Sequence, residues 1–407
     1  MIRFAPPFEH PAGSPIRELF GFLARPGMIS FAGGYPSPRL FDAQGLADAA
    51  TRAFGGDATL LQYGPTEGHP DLKDELLHLA ARRGIQGIDP GQLLVTTGSQ
   101  QAFDLLVRVL VQPGDTVLLE TPAYPAAIQA LRLAGARLVE VPMDAQGLDT
   151  GVLAEMLGRA PPRGRPKLLY TVPNFSNPRG TLLSAERRAE LVALAHRHGL
   201  VVVEDDPYGE LCFDAEPPGT LFEYARQAFG NDSPVVYLSS LSKTVAPALR
   251  IGWMIGPGAV VRRCAIAKQT ADLCTPAITQ LVAAEYLRSG RYPGVVAAAR
   301  AEYAGRAAAM AQGLERELGG LIRLERPRGG MFIWVEFARP VDPRTLFDCA
   351  VDQGVLFVPG AAFYPGPPPA TCMRLSFAAP DLDAIREGVH RLSRACRDSL
   401  TSTADPP

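Results

Sequence analysis

The chain has 407 residues, 47% of them hydrophobic, and a formal charge of −2. That length suits two domains or one large domain with a smaller partner, and the apolar content is ample for a sizeable core. No basic excess favours nucleic acid and no apolar run reaches membrane-spanning length, so neither a nucleic acid nor a membrane is expected as a partner.

Met1 to Pro15 is proline-rich and lacks the apolar stretch of a signal peptide, which predicts a cytoplasmic protein. Ser14-Pro15 opens a short predicted helix through Phe20, with serine as cap and proline at the first helical position. Ile29 to Pro36 contains Gly33-Gly34, where the missing side chains allow either a tight turn or close approach of a ligand. Gln62-Tyr63-Gly64-Pro65 reads as a turn, and a helix is predicted from about Pro70 to Arg83. Leu93 to Thr97 is a short strand. Gly98-Ser99-Gln100-Gln101 comes next and leads into a helix over Ala102 to Val111. Free N–H groups and the helix dipole make such a strand–glycine–helix junction an anion site. It is not a dinucleotide fingerprint, because Gly-x-Gly-x-x-Gly after a strand is absent.

The alternation continues through strands at Thr116–Glu120, Arg137–Val141, Lys167–Val172, Leu200–Val203, Val235–Leu238 and Ile251–Ile255, with helices between. One of these helices, Ser184 to His198, is capped by Ser184 and stopped by Gly199. Each strand is nearly all apolar, as strands covered on both faces are. These features predict a mainly parallel α/β sheet, and ligands of such sheets sit at the carboxyl ends of the strands. Gly98-Ser99, Tyr124, Asn177, Asp205 and Lys243 all fall there. Helices dominate from Pro276 to Leu318. Short strands near Arg323, Gly330–Glu336, Val355–Val358 and Met373–Phe377 then predict a second, α+β domain.

Six cysteines (212, 264, 274, 349, 372 and 396) are scattered without a Cys-x-x-Cys pair, so reduced thiols are expected and no metal site. His196 and His198 are two apart on a helix and point to different faces.

Ser239-Ser240-Leu241-Ser242-Lys243 lies directly after an apolar strand, with Arg250 close behind. A buried lysine costs several kcal/mol unless its charge is lost or paired. A Schiff base with the aldehyde of pyridoxal phosphate removes that requirement, and Ser240, Ser242 and Arg250 then suit the phosphate. A loop lysine beside a serine-rich turn is the other reading of these residues taken alone. Asp205, just past a strand, suits a protonated pyridine nitrogen, and Tyr208 and Asn177 suit the ring oxygen. Tyr124 can stack on the ring.

Ile29-Ser30-Phe31-Ala32-Gly33-Gly34, Gln62-Tyr63-Gly64-Pro65, Gly98-Ser99-Gln100-Gln101, Pro173 to Pro178, Glu204 to Tyr208, Ser240 to Lys243, Gly329 to Trp334, Val358-Pro359-Gly360 and Met373 to Phe377 together resemble the fold type I, class I/II pyridoxal-phosphate aminotransferases. Within that class they resemble the branch of 2-aminoadipate aminotransferases and kynurenine aminotransferase II. The resemblance runs from about Ser14 to Leu392.

It implies an α/β large domain with a mainly parallel seven-stranded sheet over residues 39–290, an N-terminal arm over 1–38 and a small α+β domain over 291–407. It further implies a homodimer that passes the amino group of an L-amino acid to a 2-oxo acid, often 2-oxoglutarate, by ping-pong kinetics. Lys243 would carry the cofactor and shuttle the proton, with Asp205 on the ring nitrogen and Asn177 and Tyr208 on the ring oxygen. Ser99, Gln100, Ser240, Ser242 and Arg250 would hold the phosphate, joined by Tyr63 from the other subunit. Arg374 would fork the substrate carboxylate, helped by Asn177 and the Gly34 backbone. Arg17 matches a position that can meet the substrate side chain.

Two residues depart from the branch: Tyr35 stands where a small aliphatic residue is usual, and Arg179 where threonine is. Both are expected near the pocket. Competing readings are another pyridoxal-phosphate chemistry (decarboxylase, lyase or oxidase) and a non-catalytic regulator domain. The regulator carries a basic winged-helix segment ahead of this region, whereas about thirteen non-basic residues precede it here.

Overall fold

The computed structural model describes residues 2–9, 13–55, 61–161, 164–213 and 219–402. The strands are β1 (Ile29–Ser30), β2 (Leu93–Thr96), β3 (Thr116–Thr121), β4 (Arg137–Asp144), β5 (Gly147–Leu148), β6 (Leu168–Thr171), β7 (Val201–Asp205), β8 (Val235–Ser240), β9 (Gly252–Ile255), β10 (Ile322–Leu324), β11 (Phe332–Phe337), β12 (Val355–Leu356), β13 (Val358–Pro359) and β14 (Cys372–Ser376). The large sheet runs β2-β9-β8-β7-β6-β3-β4-β5. Its centre, β8 to β4, is parallel, and β9 is antiparallel to both neighbours. The sheet holds one strand more than the seven expected, because β4 turns back on itself and the two-residue β5 pairs antiparallel at the edge.

Alternation along the strands divides the core. Leu94, Val117, Tyr170, Val203 and Val236 pack on one face with Phe103 and Leu106. Val95, Leu118, Leu169, Val202 and Val235 pack on the other with Leu76 and Leu191. A strand buried on both faces has to be apolar at successive positions, which is why these segments read as unbroken hydrophobic runs.

The helix after β2 spans Ser99–Leu110, three residues earlier than expected. Its start is set by Gly98, at φ 84°, which turns the chain so that Ser99 is already helical. A side chain there would lie 2.5 Å from Arg250 Nη2, and one on Gly252 would lie 2.4 Å from the Gly98 carbonyl carbon and Ser99 nitrogen. The junction therefore rests directly on bare β9 backbone.

The second sheet, β10-β11-β14-β13, is antiparallel. The single strand expected over Val355–Val358 is two: β12 pairs parallel with β1, then the chain changes partner and β13 joins β14. This carries the segment around Gly33-Gly34 to the edge of the large sheet's ligand end. Among the described residues no helix is long and apolar enough to cross a membrane.

Candidate active site

The parallel register brings the ends of β6, β7 and β8 level, with Thr171 opposite Glu204 and Asp205 opposite Leu238. Above them opens a cleft of about 290 Å³ lined by Gly34, Tyr124, Asn177, Asp205, Tyr208, Lys243 and Arg374, among others. Residues more than 200 positions apart thus face one volume.

Lys243 Nζ donates to the Gly34 carbonyl at 3.0 Å. Burial, with the Arg374 and Arg250 charges, lowers its pKa to about 8 against the pull of Asp205. The amine is therefore far more often neutral near physiological pH than an exposed lysine is. Asp205 is buried, and its Oδ2 accepts from the Tyr170 hydroxyl at 2.7 Å. Burial pushes its carboxyl up to about 6, with Asp206 adding to the rise, while the Tyr170 bond and Lys243 oppose it. Its Oδ1 is buried without a protein partner among the described residues. An orphaned carboxylate oxygen is costly unless something bearing a proton meets it.

At the far end of the cleft, Gly98, Ser99 and Gln100 open the Ser99–Leu110 helix beside Ser240, Ser242 and Arg250. The Ser240 hydroxyl lies 2.7 Å from that of Ser242 and accepts from the Ser242 N–H at 3.0 Å. Arg250 takes left-handed backbone angles (φ 54°) and reaches the Thr97 carbonyl at 3.1 Å. Behind the junction, Asp272 accepts from Gln101 Nε2 at 2.7 Å, from Thr97 Oγ1 at 3.3 Å and from Lys268 at 2.6 Å. These bonds tether the turn that offers its N–H groups.

Arg374, on β14, is fully buried. Nη1 donates to Asn177 Oδ1 at 2.9 Å and Nη2 to the Ala32 carbonyl, while Nε has no protein partner among the described residues. The guanidinium lies 4.4 Å from the Phe332 ring centre and 5.1 Å from that of Phe363. Burial lowers its pKa to about 10, so it stays cationic at neutral pH. No carboxylate of the described residues is among its hydrogen-bond partners, so its charge can pair with one from outside. Asn177 also hydrogen-bonds the Tyr208 hydroxyl, whose pKa is raised, chiefly by burial.

Pyridoxal phosphate fits this arrangement. A ring N–H has Asp205 Oδ1, an aldehyde has the Lys243 amine, and a phosphate has the helix start with Ser240, Ser242 and Arg250.

Three residues expected at or near the cleft, Tyr63, Arg17 and Arg179, do not line it, and Tyr35 does. Tyr63 is 79% exposed and does not line the cleft of its own chain. Arg17 lines an outer vestibule of about 560 Å³ with Ile16, Tyr35 and Gln129. Tyr35 lines both volumes, at their junction. Arg179, expected near the pocket, does not line it. It turns to Glu325, just past β10, at 3.2 Å and to Glu336, on β11, at 3.4 Å, two carboxylates that pair its charge.

The sequence reading missed Tyr170 and Phe332. Tyr170 carried a signal, a hydroxyl near the carboxyl end of an otherwise apolar strand. Phe332 carried none beyond its motif.

The description "Aminotransferase class I and II" matches residues 34–392. The 2-aminoadipate transaminase of Thermus thermophilus is 40% identical over 388 residues, spanning 95% of this chain and 94% of its own. The crystal structure of alpha-aminoadipate aminotransferase from Thermus thermophilus, complexed with N-(5'-phosphopyridoxyl)-L-leucine, superposes with a TM-score of 0.90 at 39% identity and covers 98% of both chains. Kynurenine aminotransferase of Pyrococcus horikoshii gives 0.91 at 36% identity over 98% of this chain and 97% of its own. With the cleft's geometry, these matches establish that the chain belongs to the class I and II aminotransferases, enzymes that use pyridoxal phosphate to move amino groups.

Proposed function

We propose that Lys243 is the cofactor-bearing amine and proton carrier, Asp205 the partner of the ring nitrogen, and Arg374 the receptor of the substrate α-carboxylate. The observation that carries this is the convergence on one cleft of a lysine with a lowered pKa, an orphaned buried carboxylate oxygen and a buried arginine without a carboxylate partner. When bound, the cofactor supplies an aldehyde that condenses with amines and a ring that withdraws electrons from the substrate Cα.

Arg374 and Asn177 fix the substrate carboxylate, helped by the Gly34 backbone, so that the Cα–H bond faces Lys243. With the cofactor bound, neutral Lys243 Nζ would be the group that takes up the substrate Cα proton and carries it. Asp205, held by Tyr170, keeps a negative charge against the ring nitrogen. Tyr208 and Asn177 hold the ring oxygen, and Tyr124 covers the ring. Ser99, Gln100, Ser240, Ser242 and Arg250 hold the phosphate.

An L-amino acid leaves as its 2-oxo acid, and a second 2-oxo acid, 2-oxoglutarate in our reading, takes the amine in a second half-reaction. The exposure of Tyr63 supports its service to the cleft of a partner in a homodimer. We further infer an arm over residues 1–38, a large domain over 39–290 and a small one over 291–407, with the two sheets supporting the division. The scattered spacing of the six cysteines, with no Cys-x-x-Cys pair, supports a cytoplasmic setting. Arg17 and Tyr35 would meet the substrate side chain.

The test is a visible spectrum of the purified protein with a panel of single amino acids, alongside Lys243→Ala. Loss of the cofactor band with a donor, its return with a 2-oxo acid and the absence of both in Lys243→Ala are expected. No cofactor band in the wild type supplied with pyridoxal phosphate would refute the reading. A band that no amino acid alters would favour another chemistry on the same cofactor.

A further inference from the structure

The carboxylate next to Asp205 belongs to none of these roles, yet it accepts three side-chain hydrogen bonds beneath the cleft. The Asp206 side chain is 1% exposed. Oδ2 accepts from Arg83 Nη2 at 3.1 Å and from the Tyr237 hydroxyl at 3.2 Å, and Oδ1 accepts from Asn174 Nδ2 at 2.8 Å. Its backbone N–H donates to the Leu238 carbonyl at 2.8 Å, and its carbonyl accepts from the Ser239 hydroxyl at 2.8 Å. Asn174 is itself held by Arg188 at 2.7 Å. These partners lie on the loop after β6, on β8 and at the end of the Pro70–Arg82 helix.

Successive residues of a strand point to opposite faces. Asp205 and Ser240 face the cleft, while their neighbours Asp206 and Ser239 are joined to each other beneath it. Neither Arg83 nor Asp206 lines the cleft itself.

We propose that Arg83 is a positioning residue for the cofactor: by holding the Asp206 carboxylate under β7 and β8, it fixes the spacing between Asp205 and Ser240. The proposal rests on the assignment of those two residues to the ring nitrogen and the phosphate. The physical reason is that a buried carboxylate is tolerated only when paired, and breaking one partner leaves an uncompensated charge. That charge would sit one residue from Asp205, where like charges oppose each other's ionisation.

The experiment compares wild-type holoenzyme with Arg83→Met, Arg83→Lys and Asp206→Asn. It reads the pyridoxal-phosphate dissociation constant and the circular dichroism of the visible cofactor band, with Tm measured separately. Arg83→Met is expected to weaken cofactor binding about tenfold, the scale at which residues behind a metal's ligands act on it, and to alter the visible dichroism. Arg83→Lys should recover most of both, and Asp206→Asn should change both in the direction of Arg83→Met. A folded Arg83→Met with wild-type affinity and dichroism overturns the proposal, whatever its Tm. If Arg83→Met does not fold, Asp206→Asn decides, since it keeps the Asn174 and Tyr237 contacts within reach; wild-type values there overturn the proposal too. Absence of the band in wild type would overturn the cofactor-site assignment itself, and this proposal with it.

Discussion

Glu120 gives the sharpest quantitative test of the buried electrostatics. It lies on β3, 1% exposed, with Oε1 accepting from the Val172 N–H at 2.9 Å and Oε2 from the Thr171 hydroxyl at 2.5 Å. Burial pushes its carboxyl from 4.5 up to about 7, with the Asp205 charge adding to the rise and the two hydrogen bonds opposing it. The folded protein therefore binds this proton more tightly than the unfolded chain does. Its stabilising effect is fully present below pH 4.5 and is lost as the pH rises through 7. At ~1.4 kcal/mol per tenfold, the loss reaches about 3 kcal/mol above pH 8.

Glu120→Gln keeps the shape without the charge, with its carbonyl accepting from Val172 and its amide donating to Thr171. It should be near neutral at about pH 5 and more stable than wild type at about pH 8.5, where only the wild type carries the buried charge. Thermal unfolding of the two holoenzymes at both pH values measures this, and the expected gap at the higher pH is a few degrees in Tm for a chain of this length. The same difference at both pH values would refute the reasoning.

Arg374→Lys keeps the charge but loses the fork, so KM for both amino and oxo acids should rise on the order of a hundredfold, measured by steady-state kinetics; an unchanged KM would remove Arg374 from the carboxylate site. Tyr170→Phe removes the hydrogen bond that holds the Asp205 pKa down, so the acid limb of kcat/KM should move to higher pH; a limb that stays put would show that Asp205 does not govern it. Gly252→Ala places a carbon 2.4 Å from the Gly98–Ser99 peptide. Cofactor affinity should fall sharply while the far-ultraviolet spectrum is kept, and titration with pyridoxal phosphate would show otherwise if the junction yields.

Much of the site was legible because its residues come directly after strands. Val235–Leu238 and Leu200–Val203 were plain as apolar runs, and a parallel sheet has to place the residues beyond the end of each run at one edge. Lys243, Asp205 and the Gly98 junction were therefore grouped before any fold was seen. The direction of the Arg179 side chain was not legible, because adjacency in sequence to Asn177 does not fix which way a long side chain turns. Its choice of Glu325 and Glu336 depends on where the second sheet docks. The early start of the Ser99–Leu110 helix was hidden for a related reason, since the positive φ of Gly98 is enforced by Gly252 and Arg250, both some 150 positions later in the chain.

By itself, then, the sequence determined the alternation of buried strands and amphipathic helices, the edge that would hold the ligand, and, through motif resemblance, the family. Period and composition encode burial, and burial is what those inferences need. Only the tertiary structure decided that Tyr170 would hold Asp205, that Asn177 would meet Arg374 from 197 positions away, and that Asp206 would pair with Arg83 beneath the cleft. Each of those contacts depends on strand order, register or the docking of one element on another. Hydrogen bonds form over about 3 Å, a precision that hydrophobic periodicity does not carry.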